Sequence, residues 1–190
     1  YTGWQPDLLL GTDLTGKTIG LIGLGDIGSQ AARMLAKGFS CPIVYSDMKA
    51  NEELDRDIWS RHLSQEDVLR TADIISLHVP LLPSTVHLVN DETISMMKDG
   101  AIIINTARGP VVDEQALVRA LKTKKIRGAG LDVFEFEPHL AEGLLDVENV
   151  VLTPHTASAR ESVRTRMSEI VAHNIISFFE TGTVSNSIIH

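Results

Sequence analysis

Several things are scarce in this 190-residue sequence, and each scarcity excludes something. There is one cysteine, Cys41, so no internal disulfide can form, which suits a reducing compartment. Long hydrophobic runs are missing: stretches such as "AIIIN" (101–105) and "NVVL" (149–152) are far too short to cross a bilayer. The start has no basic segment leading into an apolar one, so no secretory signal is read and the cytoplasm is the expected location. Basic residues are outnumbered, 17 Lys and Arg against 25 Asp and Glu, and a net charge of −8 argues against binding to a nucleic-acid backbone. The one basic cluster, "KTKKIR" (122–127), reads as a solvated helix end with cations at the negative pole of the dipole, and the acidic "NEELDRD" (51–57) as another solvated run. Tandem repeats, low-complexity tracts and long linkers are absent, and no pair of His, Cys or acidic residues has metal-ligand spacing, so no metal is assigned. A leading methionine is also missing: the chain opens on Tyr1, which reads as a processed or excised piece of a longer protein.

What is present is the composition of one globular domain, 43% hydrophobic, with short apolar runs alternating with helical patterns. Strands are predicted at 17–23, 41–47, 72–79, 101–106, 127–133 and 149–153, each a nearly continuous apolar run. Strands covered on both faces read this way, as in parallel sheets. Helices are predicted at about 26–37, 64–71, 91–98 and 113–122, with a long last one at about 159–180; Ser64 opens a capping-box pattern, "SQED", and Asp113 is placed to cap the fourth. The alternation predicts an α/β fold: a doubly wound parallel sheet of Rossmann type, in three α/β/α layers. The proline-rich "VPLLP" (79–83) is predicted to be a loop at the carboxyl end of the third strand.

"GLIGLGDIG" (20–28) carries G-x-G-x-x-G as Gly23, Gly25 and Gly28 on a strand-to-helix turn, the setting in which the motif binds a dinucleotide. Gly23 is expected to allow the tight turn, Gly25 to let backbone approach a pyrophosphate, and Gly28 to allow helix-to-strand packing. The helix beginning near Asp26 and Ile27 would offer free N–H groups to the phosphates, with the Asp26 carboxylate turned outward. Asp47 follows Gly28 by 19 residues, at the end of the second strand. About 20 is the spacing of the acid that bonds the adenosine ribose, and a carboxylate there selects NAD over NADP.

In open α/β sheets the ligand lies across the carboxyl ends of the strands. Those ends carry ionisable residues: Arg108 after the fourth strand, Asp132 within the fifth with Glu135 and Glu137 after it, and His155 after the sixth, in "LTPHTAS". Arg108, Glu137 and His155 are expected to meet at one edge of the cofactor crevice. His78, ending the third strand, is read as structural. His139, close to Glu137, lacks the strand-end setting, and His62, His87, His173 and His190 read as surface or helix residues.

The segments "GLIGLGDIG", "HVPLLPSTVHLVN", "INTARGPVVDEQALVRAL", "GLDVFEFEP" and "LTPHTASA" resemble, in order from about Leu14 to Phe179, the NAD-binding domain of the D-isomer-specific 2-hydroxyacid dehydrogenases. "NTARGPVVDE" is much more specific than the glycine loop. The resemblance implies NAD as cofactor and a catalytic group of arginine, glutamate and histidine, matched by Arg108, Glu137 and His155. Arg108 would bind the carboxylate of a small 2-keto acid and polarise its keto oxygen, and a hydride would pass between nicotinamide C4 and the keto carbon. His155 would give or take the proton, with Glu137 orienting the imidazole and favouring its protonated form. Asp132 would bond the nicotinamide carboxamide, with Thr106, Ala107 and Ser158 near that ring and Val79, Pro80 and Thr85 along the cofactor groove.

The resemblance further implies a flavodoxin-like substrate domain built mostly from residues before this stretch, and a homodimer formed through the cofactor domains. Residues 1–190 are then a single dinucleotide-binding domain, 1–13 an interdomain and dimerisation arm with Trp4 as an interface anchor, and 181–190 a tail toward the substrate domain. Two alternatives share the same triad: an NAD(H)-sensing binding protein of the corepressor type and a phosphite-type dehydrogenase. Relatives using formate carry a different acid-base pair, which the pairing of Glu137 with His155 argues against.

Overall fold

A computed structural model describes Gly3 and residues 10–186; Trp4, with most of the predicted arm, and residues 187–190 lie outside the described residues. The chain forms two compact units, residues 1–154 and 155–190.

The first unit is built on a seven-stranded sheet of order β3-β2-β1-β4-β5-β6-β7, parallel throughout. The strands are β1 (Ile19–Ile22), β2 (Ile43–Ser46), β3 (Arg61–His62), β4 (Ile74–Leu77), β5 (Ala101–Asn105), β6 (Ile126–Leu131) and β7 (Val150–Leu152). Between them run α1 (Asp26–Phe39), α2 (Glu52–Ile58), α3 (Gln65–Thr71), α4 (Asp91–Met96) and α5 (Glu114–Lys122). The chain winds from β1 outward to β3, then returns to β4 on the other side of β1 and winds the opposite way. The switch point therefore lies between β1 and β4.

Both faces of β1 and β2 are covered, which is why their runs are continuously apolar. On one face Ile22, Ile75, Leu77 and Ile103 pack with Val68 and Leu69 of α3, Ile94 of α4 and Leu117 and Leu121 of α5. On the other, Ile19, Leu21, Ile43 and Tyr45 pack with Ala32 of α1 and Leu54 of α2. Burial of the side chains on both faces supplies most of the driving force, at about 25 cal/mol per Å² of apolar surface.

Two elements differ from the sequence expectation. The acidic run 51–57, read as solvated, forms most of α2: Asn51 Oδ1 accepts from Leu54 N at 3.0 Å, Leu54 is completely buried, Glu52 and Glu53 are exposed, and Asp55 turns inward to accept from the Tyr45 and Ser60 hydroxyls. A two-residue seventh strand, β3, pairs with β2 at the sheet edge. It is too short to leave a periodic trace in sequence, so the strand predicted as fifth is β6, and it ends at Leu131, putting Asp132 just past the strand rather than within it.

The second unit consists of residues 155–190 and carries α6 (Glu161–Thr181), whose C-terminus is closed by Gly182 in the left-handed region, with its N–H donating to Phe178 O at 2.9 Å. No helix among the described residues is long and apolar enough to cross a membrane.

Candidate functional site

The glycine loop occupies the switch point. Gly23 leaves β1 with φ of 92°, in the left-handed region, and a Cβ there would lie 2.7 Å from His78 O at the end of β4, so both conformation and space require glycine. A Cβ on Gly28 would fall 2.6 Å from Gly23 O, which lets α1 sit tightly against the turn. Gly25, by contrast, has open space where a Cβ would be, and it caps α1 with no side-chain bond. Its backbone and the first N–H groups of α1 thus face an unobstructed approach, the geometry a pyrophosphate requires. Asp26 and Ile27, in the first turn, are both exposed.

Asp47 follows β2 and is tied to this loop. Its Oδ2 accepts from Leu24 N and its Oδ1 from Met48 N, each at 2.6 Å. Its main-chain oxygen is bonded to His62 Nε2 at 2.9 Å, from β3, and the His62 ring lies 5.2 Å from that of Tyr45. The carboxylate is held at the lip of a cleft of about 580 Å³ lined by Leu24, Gly25, Asp47, Lys49, Asn51 and Glu52 among others. Each carboxylate oxygen keeps further acceptor capacity toward that cleft, which fits ribose hydroxyls. Lys49 in the same lining was not anticipated from the sequence, where it is one of many exposed cations.

Across the switch point, β4 runs into His78, Val79 and Pro80. His78 is half-buried, its Nε2 3.0 Å from Ser76 Oγ, and burial pushes its pKa below the usual histidine value. Thr85 closes the loop that follows: its Oγ1 lies 2.7 Å from Pro80 O, to which it donates, and accepts from Leu82 N at 2.8 Å.

At the end of β5, buried Asn105 shapes the turn carrying Thr106, Ala107 and Arg108. Its Oδ1 accepts from Ala107 N at 3.1 Å and its Nδ2 donates to Arg108 O at 3.0 Å. Thr106 and Arg108 are exposed and Ala107 is buried; Arg108 Nη1 donates to Ala107 O at 2.6 Å. At the end of β6, buried Asp132 donates its N–H to Asn105 O at 3.0 Å and accepts from Thr153 Oγ1 at 2.5 Å. Glu137 lies five residues on, exposed, with its Oε1 accepting from Phe134 N at 3.1 Å.

The first unit thus brings the glycine loop, Asp47, Val79, Pro80, Arg108, Asp132 and Glu137 to the carboxyl edge of one sheet. His155 and Ser158 belong to the second unit; His155 has φ of 52°, in the left-handed region, and stands two residues along the chain from Thr153. Three site-shaping residues escaped the sequence reading. Asn105 could have been suspected as a polar residue closing an apolar run, whereas Glu114 and His87, which both bond Glu135, left no such signal.

The family model described as D-isomer specific 2-hydroxyacid dehydrogenase, NAD binding domain, matches residues 1–157. A glyoxylate reductase of Pyrococcus horikoshii is 51% identical over 175 residues, which are 92% of this chain and 52% of that protein. The crystal structure of a glyoxylate reductase from Paecilomyes thermophila superposes with a TM-score of 0.90 at 36% identity, over 98% of this chain and 56% of that one. A D-lactate dehydrogenase with NAD+ from Lactobacillus jensenii gives a TM-score of 0.84 at 32% identity, over 98% and 59%. The chain spans about half the length of the curated relatives it matches.

Proposed function

The chain belongs to the D-isomer specific 2-hydroxyacid dehydrogenase family, as its NAD-binding domain, and from that premise we propose that it serves an NAD-dependent oxidoreductase interconverting a small D-2-hydroxy acid and its 2-keto acid, with glyoxylate and hydroxypyruvate the first candidates. The observation that carries this reading is that β5 and β6, paired neighbours, deliver Arg108 and Glu137 to the same carboxyl edge as the glycine loop and Asp47.

NAD, when bound, supplies the hydride donor or acceptor at nicotinamide C4. The remaining work falls to the chain's own side chains. Arg108, a forked and permanent cation, holds the substrate carboxylate and polarises the keto oxygen. His155 gives a proton to that oxygen in reduction and takes one from the hydroxyl in oxidation. Glu137 orients the imidazole and favours its protonated form, as a neighbouring anion does. Asp132, whose carboxylate also accepts from Thr153 Oγ1, accepts from the nicotinamide carboxamide in this reading. The reading includes a homodimer through the cofactor domain, supported by the exposed Met34 and Phe39 along α1, and sedimentation of the purified protein tests it.

In the full-length protein carrying this chain, His155→Ala is expected to lower kcat for glyoxylate reduction by about 10²–10⁴-fold, the usual worth of a general acid, while NADH affinity by fluorescence titration stays nearly unchanged. Loss of NADH binding instead would make His155 structural and sink the assignment.

A further inference from the structure

For Arg108 and Glu137 to work on one substrate, the chain leaving β5 and the chain leaving β6 must keep a fixed spacing. Two features of the first unit hold them. Gly109, directly after Arg108, lies against the peptide joining Phe134 to Glu135: a Cβ built on Gly109 would fall 1.8 Å from Phe134 O and 2.6 Å from Glu135 N. Backbone therefore meets backbone there, and any side chain would force the two apart.

The second feature is a pair of carboxylates exchanging bonds. Glu114, in the first turn of α5, is only 1% exposed. Its Oε1 accepts from Glu135 N at 2.8 Å and its Oε2 from Ala141 N at 3.2 Å, so one side chain grips both ends of the segment 135–141. In return Glu135 Oε2 accepts from Glu114 N at 3.2 Å, and its Oε1 pairs with His87 Nε2 at 2.5 Å. Glu137 lies between the two gripped points.

Burial pushes the Glu114 carboxyl above the usual range; the backbone donors at Glu135 and Ala141 pull the other way, and the negative Glu135 and Glu137 push it up further. An apolar residue would avoid burying a charge but would leave two partly buried N–H groups without this partner, so the carboxylate is what holds this backbone at both points.

We propose that Glu114, with its partner Glu135, forms a positioning clamp for the reaction: it fixes Glu137 relative to Arg108 by holding both ends of the 135–141 segment. The clamp rests on the function proposed above, since it acts through Glu137 and touches no reacting atom. Glu114→Gln keeps the volume but replaces one acceptor by a donor, so one end of the segment is released.

The test is a double-mutant cycle in the full-length protein, with Glu114→Gln, Glu137→Gln and the pair, measured as kcat, KM and the pH profile of glyoxylate reduction by NADH. Glu114→Gln should lower kcat by about tenfold to a hundredfold, the scale of a small misplacement. The pH profile of kcat should shift, the KM for NADH should hold, and the substitution should have little further effect once Glu137 is already Gln. An unchanged kcat and pH profile, or an equal loss in both backgrounds, overturns the clamp. If Glu114→Gln does not fold, Glu135→Gln runs the same cycle, with the same two results deciding. Glu137→Gln as active as the parent would instead overturn the reading of the reaction, and the clamp with it, a result distinct from an impaired Glu137→Gln beside an innocent Glu114→Gln.

Discussion

Asp47 shows how a single residue joins local signal to distant geometry. Its place at the end of β2 is written in the sequence, but its two 2.6 Å bonds from Leu24 N and Met48 N are not, and they hold the carboxylate beside the glycine loop before any nucleotide arrives. Asp47→Ala should weaken NADH binding by about tenfold or more, the worth of hydrogen bonds to a charged group. It should also narrow the preference over NADPH, because repulsion of a 2′-phosphate is lost. Parallel fluorescence titrations with both nucleotides check this, and an unchanged ratio would remove Asp47 from cofactor selection. The residues with no sequence signal are those whose partners are far along the chain. His87, expected at the surface or in a helix, reaches 48 residues to Glu135, and Glu114, one of many helical acids in sequence, is buried and bonded to Glu135 N and Ala141 N.

Among the elements, strands and helices with strong periodicity stand close to where they are expected, and their ends follow local chemistry. Ser64 Oγ accepts from Asp67 N at 3.1 Å and Asp113 Oδ1 from Ala116 N at 2.9 Å, each satisfying an otherwise orphaned helix donor. The capping box "SQED" is closed differently from the usual pattern: the Asp67 carboxylate accepts from the Ser64 hydroxyl at 2.7 Å. β4 carries an element-scale consequence through His78, which is packed at its carboxyl end beneath the glycine turn. Because burial lowers its folded pKa, the unfolded chain binds more protons as pH falls through about 6.5, so stability is lost on acidification in that window and is fully present above it. The melting temperature should therefore drop less between pH 7.5 and 5.5 in His78→Gln than in the parent. Equal slopes would mean that His78 does not titrate with folding.

For the whole molecule, the chain spans about half the length of the curated relatives it matches, while the glycine loop, Asp47, Arg108, Asp132 and Glu137 all lie within the unit formed by residues 1–154. The residues proposed to recognise the cofactor therefore all stand on one sheet, at its carboxyl edge. The 190-residue chain on its own should bind NADH, seen as a fluorescence change on titration, yet give little or no turnover of glyoxylate in the same buffer. Turnover at the rate of a complete enzyme would show that these residues close the substrate site unaided.

By itself the sequence determined the fold class, the glycine loop and the strand ends that carry ionisable residues, because each is a one-dimensional signal: continuous apolar runs, three glycines at fixed spacing, an acid 19 residues later, charges just past strands. Only the tertiary structure decided the edge strand β3, the position of the switch between β1 and β4, the Asn105 brace under Arg108, and the exchange between Glu114 and Glu135. These depend on groups brought together across the sheet from separate parts of the chain, where no periodicity or spacing records which polar atom will meet which.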